Sequence, residues 1–125
     1  MTQSEAQKFC KEEQKVPARL VEIESAEENR AIVAEMMRRN FRSQKLEFWL
    51  GITDRHSEGH WVLESSGKDV VFTDWGYGEP NNAFLGENCA HITDSSSFWV
   101  SGYKWNDIPC NRWNGWMRTS ALCEM

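Results

Sequence analysis

Four cysteines constrain the fold of this 125-residue chain more than any other feature of its sequence. They are Cys10, Cys89, Cys110 and Cys123, so the outer two lie near opposite ends. None belongs to a C-x-x-C motif or has a histidine at zinc-finger spacing, which disfavours zinc and redox sites. An even number of scattered cysteines in a small chain favours disulfides, and hence a secreted or extracellular protein. Three pairings are open if all four are oxidised, and four free thiols are the alternative.

The composition indicates one folded domain, which we expect to span residues 1–125. Hydrophobic residues make up 40% of the chain and aromatic residues 12%, which is enough for a single core. The net charge of -5 argues against nucleic acid as a partner, because phosphates require clustered Lys and Arg. No apolar run approaches the ~18 residues that a membrane span needs. We therefore expect neither nucleic-acid binding nor direct membrane insertion.

Two segments near the start carry helix signals. Residues 2–5 and 25–28 each have the S/T-x-x-E spacing of a capping box, in which a hydroxyl and a carboxylate satisfy free N–H groups at the start of a helix. The first helix is predicted to end at Val16-Pro17, because proline disfavours helical geometry in the residue before it. The second is predicted to run to about Asn40. Its buried apolar stripe would be Ile32, Val33, Met36 and Met37.

Later segments carry strand signals. Short apolar or alternating runs predict strands at 19–23, 48–52, 60–63, 70–72 and 119–124. Between Thr73 and Pro109 the density of Gly, Asn, Ser and Asp predicts little regular structure, and so long a loop region in a compact domain is usually functional. Two early helices, several later strands and one long loop region predict an α+β domain.

The loop at residues 78–89, GEPNNAFLGENC, gathers many side-chain oxygens without a helical or strand period. Calcium takes about six to eight oxygen ligands and tolerates irregular geometry. Glu79 and Asn81 flank Pro80, and a cis bond before that proline would aim both side chains at one point. If Cys89 pairs with Cys110, Asn106 and Asp107 return beside this loop. The predicted principal calcium ligands are Glu79, Asn81, Glu87, Asn106 and Asp107.

The charge of this ligand set favours calcium among the metals. Three carboxylates suit a hard divalent ion and disfavour transition metals that prefer His and Cys. Composition alone leaves an alternative, in which Glu-Pro-Asn-Asn is a turn and Asn106-Asp107 is a cap. The EF-hand spacing is absent, so no standard calcium loop decides between the two.

The sequence resembles a C-type lectin carbohydrate-recognition domain over almost its whole length. Residues 4–10 resemble the first helix of that family, residues 20–25 the strand before its second helix, and Trp49-Leu50-Gly51-Ile52 its W-I-G-L core strand. Glu79-Pro80-Asn81 and Trp105-Asn106-Asp107 resemble its E-P-N and W-N-D sugar-site motifs. The resemblance implies a fold of two helices flanking small antiparallel sheets, with a long calcium-binding loop region and a cis Pro80. It also implies the disulfides Cys10–Cys123 and Cys89–Cys110.

The resemblance further implies that a bound calcium ion coordinates two vicinal hydroxyls of a sugar directly. Each hydroxyl would also donate to a carboxylate and accept from an amide, using Glu79 with Asn81 and Glu87 with Asn106. Acid followed by amide is the mannose-type order, which suits the equatorial hydroxyls of mannose, glucose or N-acetylglucosamine, and also fucose. Galactose binding is the alternative, since tryptophan faces stack on that sugar. The candidates for stacking are Trp99, Trp113 and Trp116.

An auxiliary calcium site is a further expectation from the resemblance. Its residues would be Asp54, Glu58, Asn82 and Asn88. Asn88 stands where many relatives have aspartate, which weakens the attraction of this site for calcium.

The sequence leaves three functions to be distinguished. The first is a calcium-dependent lectin whose partners are glycans or glycoconjugates, with oligomerisation as a source of avidity. The second is a calcium-stabilised domain that binds a protein or a surface. The third is an enzyme, which we disfavour because His56, His60 and His91 form no recognisable triad or zinc motif.

Overall fold

The computed structural model describes residues 1–13, 18–38, 47–76, 78–82, 86–94, 102–111 and 119–125. Within these ranges the chain forms two helices and six strands. In chain order they are α1 (Gln3–Glu12), β1 (Arg19–Leu20), α2 (Ala26–Arg38), β2 (Glu47–Thr53), β3 (Val62–Leu63), β4 (Cys89–Asp94), β5 (Tyr103–Ile108) and β6 (Cys123–Glu124). Neither described helix is long and apolar enough to cross a membrane.

The strands form two antiparallel sheets, so the predicted α+β class is confirmed. β1 pairs with β6, and the larger sheet has the order β3-β2-β4-β5. Successive side chains of β4 point to opposite faces of this sheet. Ala90 and Ile92 belong to a core with Met36 of α2, whereas Cys89 belongs to a second core with Ala6 of α1. The two helices therefore contribute to different cores, which lie on opposite faces of the sheet.

The helix starts follow from local hydrogen bonds. Thr2 forms the predicted capping box with Glu5, whose N–H donates to Thr2 Oγ1 at 3.1 Å. At α2, Ser25 Oγ accepts from the Glu28 N–H at 3.1 Å, but the Glu28 carboxylate accepts from Glu24 at 3.0 Å. In a capping box the carboxylate would accept from the N–H of Ser25. Here it accepts from Glu24, one residue earlier, so only the hydroxyl half of the predicted box forms.

The helix interiors and ends correct two predictions and leave one open. Met36 is 2% exposed, but Met37 is 62% exposed, so the predicted buried stripe is wrong at Met37. Met37 lies beyond the edge of the stripe, because α2 turns it away from the sheet. The predicted end of the first helix at Val16-Pro17 is also wrong, because α1 ends at Glu12 and Glu13 is its C-cap, with its N–H donating to the Phe9 carbonyl. The predicted end at Asn40 lies outside the described residues.

The strand predictions fail where polar residues are buried or apolar residues are exposed. Residues 73–109 were predicted to have little regular structure, yet β4 and β5 each contain six residues. Their polar side chains conceal the pattern, since His91 and Thr93 are buried within β4. The predicted strand at 70–72 is also wrong, because Val71 is 82% exposed and the bridge to β3 is made by Asp69. The outer strands shrink to Arg19–Leu20 and Cys123–Glu124.

A buried amide fixes β5 relative to α2. Asn29 Oδ1 accepts from the Trp105 indole N–H at 3.1 Å, and its Nδ2 donates to Asp74 Oδ2 at 2.9 Å. The backbone of Trp105 also pairs with residues 74–76. The segment 74–76, just before the E-P-N loop, is therefore attached to the strand that contains the W-N-D segment.

Both implied disulfides are present. Cys10 is bonded to Cys123, 113 residues apart, and Cys89 to Cys110, 21 residues apart. The first joins α1 to β6, and the second joins the start of β4 to the segment after β5.

We expect the two disulfides to stabilise the fold unequally, because a longer closed loop removes more entropy from the unfolded chain. Replacing Cys10 and Cys123 with serine should lower the free energy of unfolding by about 5 kcal/mol, and replacing Cys89 and Cys110 by about 3 kcal/mol. Urea unfolding of the two double variants measures both values. An equal loss, or the reverse order, would contradict the expectation.

Candidate functional site

The carboxylate of Asp107 holds the E-P-N loop against β5. Asp107 is 1% exposed. Its Oδ1 accepts from the Asn81 N–H at 3.1 Å, and its Oδ2 accepts from the Asn82 N–H at 2.7 Å. A buried carboxylate is tolerated when hydrogen bonds replace the lost water, so these bonds satisfy both the acid and the loop backbone. Two segments that are distant in sequence are thereby in direct contact.

The side chains of the loop converge on the same region. The Glu79-Pro80 bond is cis, as expected. Asn81 Nδ2 donates to Glu79 Oε2 at 3.3 Å, so the acid and the amide lie side by side. Asn82 has a φ of 48° and its Oδ1 accepts from the Glu87 N–H at 3.0 Å. This bond brings Glu87, which is 6% exposed, back to the loop.

Negative charge accumulates around Glu79. Burial and the neighbouring carboxylates of Asp107 and Glu87 raise the pKa of Glu79 to about 7. Its Oε1 is buried and has no hydrogen-bond partner among the described residues. A buried carboxylate oxygen without a donor, crowded by two further acids, fits a hard cation that takes oxygen ligands.

The acids do not form a metal site by themselves. Among the described parts of the chain, no three His, Cys, Asp or Glu side chains form a group able to hold a metal ion. The three predicted carboxylates, Glu79, Glu87 and Asp107, are therefore not close enough together to hold an ion alone. The predicted ligand set also includes two amides, Asn81 and Asn106.

Asn106, the remaining predicted ligand, contacts a buried histidine. Its Nδ2 lies 3.4 Å from His91 Nε2, and His91 Nδ1 lies 2.9 Å from Glu47 Oε1. Sequence reasoning missed Glu47 and set His91 aside for want of a triad. The available signal was strand alternation, which places residues 89, 91 and 93 on one face of β4.

The predicted auxiliary residues separate into two groups. Asp54 is 1% exposed, its Oδ2 accepts from the Gly59 N–H at 2.9 Å, and its Oδ1 is buried without a partner in the described chain. The adjoining Asp54 carboxylate raises the pKa of Glu58. The Asn88 carbonyl accepts from the Asp54 N–H at 3.2 Å. Asn82 instead belongs with Asp107 and Glu87. The predicted stacking residues, Trp99, Trp113 and Trp116, lie outside the described residues.

Comparison with known proteins identifies the family. The family model described as Lectin C-type domain matches residues 1–124. The chain belongs to the C-type lectin domain family. This membership confirms the resemblance and favours a carbohydrate-binding protein over an enzyme. Domains of this family generally bind Ca²⁺.

Two curated relatives illustrate the similarity. The chain is 36% identical to C-type lectin domain family 4 member E of Mus musculus over 129 residues, covering all of this chain and 51% of the relative. It is 34% identical to the alpha-N-acetylgalactosamine-specific lectin of Patiria pectinifera over 113 residues, covering 89% of this chain and 63% of the relative. The chain thus spans only part of the length of these proteins.

Solved structures share the fold. The mouse scavenger receptor C-type lectin carbohydrate-recognition domain has a TM-score of 0.67 and 27% identity, covering 89% of this C-type lectin domain and 73% of that chain. The C-type lectin CEL-I from Cucumaria echinata has a TM-score of 0.69 and 25% identity, with coverage of 88% and 76%.

The raised pKa of Glu79 predicts how stability depends on pH in the presence of a chelator. The folded state holds the Glu79 proton up to about pH 7, whereas the unfolded chain releases it near the ordinary value of 4.5. Stability should therefore fall as pH rises through this interval. Glu79→Gln removes the ionisation, so its melting temperature should match the wild type below pH 5 and exceed it at pH 8.

Glu12→Gln, at the end of α1, is the matched control, because this side chain is exposed. It should leave the melting temperature unchanged at both pH values. If the Glu79→Gln difference does not grow between pH 5 and pH 8, the crowding of carboxylates around Glu79 is not the cause.

Proposed function

We propose that this C-type lectin domain binds carbohydrate in a calcium-dependent manner through the E-P-N loop and the end of β5. The observation that carries the proposal is the buried Oε1 of Glu79, which has no hydrogen-bond partner among the described residues and lies beside the carboxylates of Asp107 and Glu87. The residues proposed to hold the ion are Glu79, Asn81, Glu87, Asn106 and Asp107.

The calcium ion, when bound, supplies open coordination positions for two vicinal hydroxyls of one sugar. The chain's own residues then complete the hydrogen bonds. A carboxylate such as Glu79 accepts from a sugar hydroxyl, and the adjacent amide of Asn81 donates to the same oxygen. Because ligand carboxylates must be deprotonated, the raised pKa of Glu79 implies that calcium binding strengthens as pH rises and weakens in acid.

The order of acid and amide supports sugars with equatorial vicinal hydroxyls, of the mannose, glucose, N-acetylglucosamine or fucose type. A second candidate is a galactose-type sugar, which is favoured by the similarity to the alpha-N-acetylgalactosamine-specific lectin. In the protein- and surface-binding alternative, calcium would stabilise the loop without contacting a sugar.

The setting we propose is extracellular, because two disulfides persist in oxidising compartments. The partners would be glycans or glycoconjugates. A site that engages two hydroxyls buries little area, so affinity for a monosaccharide should be on the order of millimolar. Oligomerisation would then raise the avidity for surfaces that carry many glycans.

A glycan array measured with calcium and with chelator tests the proposal. Wild type should bind mannose-type glycans in calcium and lose the signal in chelator. Glu79→Gln combined with Asn81→Asp exchanges the order of acid and amide, so preference should move toward galactose-type glycans. The control is Glu12→Gln, which should keep the wild-type pattern. Binding that persists in excess chelator, or an unchanged preference in the double variant, would rule out coordination by this loop.

The auxiliary site is proposed to hold a second calcium ion through Asp54, because its buried Oδ1 has no partner in the described chain. Calorimetric titration should give two ions per domain for wild type and one for Asp54→Asn, with glycan binding retained. Asp69→Asn is the control, since Asp69 is exposed and pairs with His60. A wild-type ratio of one ion, or an unchanged ratio in Asp54→Asn, would contradict the proposal.

A further inference from the structure

A buried acid and histidine pair adjoins the proposed sugar site. His91 and Glu47 have side chains that are 2% and 1% exposed, and His91 Nδ1 lies 2.9 Å from Glu47 Oε1. The other ring nitrogen, Nε2, lies 3.4 Å from Asn106 Nδ2. Three side chains from β2, β4 and β5 therefore form a continuous polar row that ends at a proposed calcium ligand.

The register of the sheet fixes this row. His91 lies directly opposite Asn106 in the β4–β5 pairing. Glu47 lies opposite Thr93 in the β2–β4 pairing, which makes it the diagonal neighbour of His91. Opposite and diagonal neighbours on one face of a sheet are within reach of each other. The contacts thus depend on strand pairing and not on the loops.

Donor and acceptor chemistry determines which ring nitrogen of His91 carries the proton. A carboxylate oxygen carries only lone pairs, and a bare ring nitrogen 2.9 Å away would repel it, so the contact with Glu47 favours the imidazole proton on Nδ1. In a neutral ring Nε2 is then an acceptor. An acceptor attracts the amide NH₂ of Asn106 and repels its carbonyl oxygen, and a mispaired polar group inside a protein is destabilising.

We propose that Glu47 and His91 are positioning residues that fix the orientation of the Asn106 amide. Glu47 selects the His91 tautomer, and His91 accepts one amide N–H of Asn106. The Asn106 oxygen is then turned away from the ring and toward the calcium position, while the second N–H remains for a sugar hydroxyl. The role of Asn106 in binding rests on the function proposed above, but the tautomer and the amide orientation do not.

Nuclear magnetic resonance tests the row without any metal. In ¹⁵N-labelled wild-type protein with chelator, the His91 ring should show a protonated Nδ1 and an unprotonated Nε2. Glu47→Gln offers an amide that can donate as well as accept, so both tautomers should be populated and the Asn106 side-chain amide resonances should shift. A ring protonated on Nε2 in wild type, alone or together with Nδ1, would overturn the proposal.

Calcium titration tests the consequence. Loss of a residue that orients a ligand typically weakens metal affinity by about 10- to 100-fold. We expect a loss of about tenfold or more in Glu47→Gln and in His91→Phe. His91→Gln, which restores an acceptor for Asn106, should bind calcium more tightly than His91→Phe. Thr93→Val is the matched control, because Thr93 lies opposite Glu47 and its buried hydroxyl has no hydrogen-bond partner in the described chain.

The outcomes separate this proposal from the function it rests on. If His91→Phe binds calcium as tightly as Thr93→Val, the row does not position Asn106. If wild type binds no calcium, the proposed function fails, and the tautomer measured in chelator still decides the row. If His91→Phe does not fold, the calcium affinity of Glu47→Gln is compared with that of Thr93→Val instead, since this substitution keeps the shape of the side chain.

Discussion

The two hydrogen bonds from the backbone of Asn81 and Asn82 to Asp107 are the interaction on which the proposed binding site depends. An irregular loop has no ladder of its own, so its N–H groups need partners elsewhere. Asp107 supplies both from within a paired strand. That strand is held in turn by β4 on one edge and by the contact between Trp105 and Asn29. The conformation of the loop therefore depends on hydrogen bonds to the sheet.

Local signals in the sequence predicted local structure well. The capping box of Thr2 and Glu5 needs only neighbouring residues, and it forms as expected. Met37 was misassigned because an apolar residue at helical spacing can still lie just outside the buried face. β4 was missed because burial of a polar side chain depends on its partner, and the partner of His91 is Glu47 on another strand. No window of the sequence contains that pair.

The candidate site was likewise predicted in part from the sequence. Both disulfides and the cis Pro80 followed from resemblance to the family, and the structure confirms them. The calcium ligand set stays a prediction: Glu87 and Asp107 lie near Glu79, but the acids of the described residues form no metal-holding group by themselves. The separation of Asn82 from Asp54 was not foreseen, because the same amide that could bind an auxiliary ion instead accepts the Glu87 N–H. A sequence motif identifies candidate oxygen ligands, but it does not determine which partner each side chain contacts in the folded protein.

The crowding of carboxylates around Glu79 also bears on how the domain can be engineered. A cluster of like charges opposes folding until a counterion arrives, so the residues proposed to bind the ion also weaken the empty domain. Directed evolution for heat resistance in chelating buffer would favour variants that neutralise this cluster. Such a selection would enrich robust proteins that have lost the proposed lectin activity, whereas the same selection in calcium would preserve it.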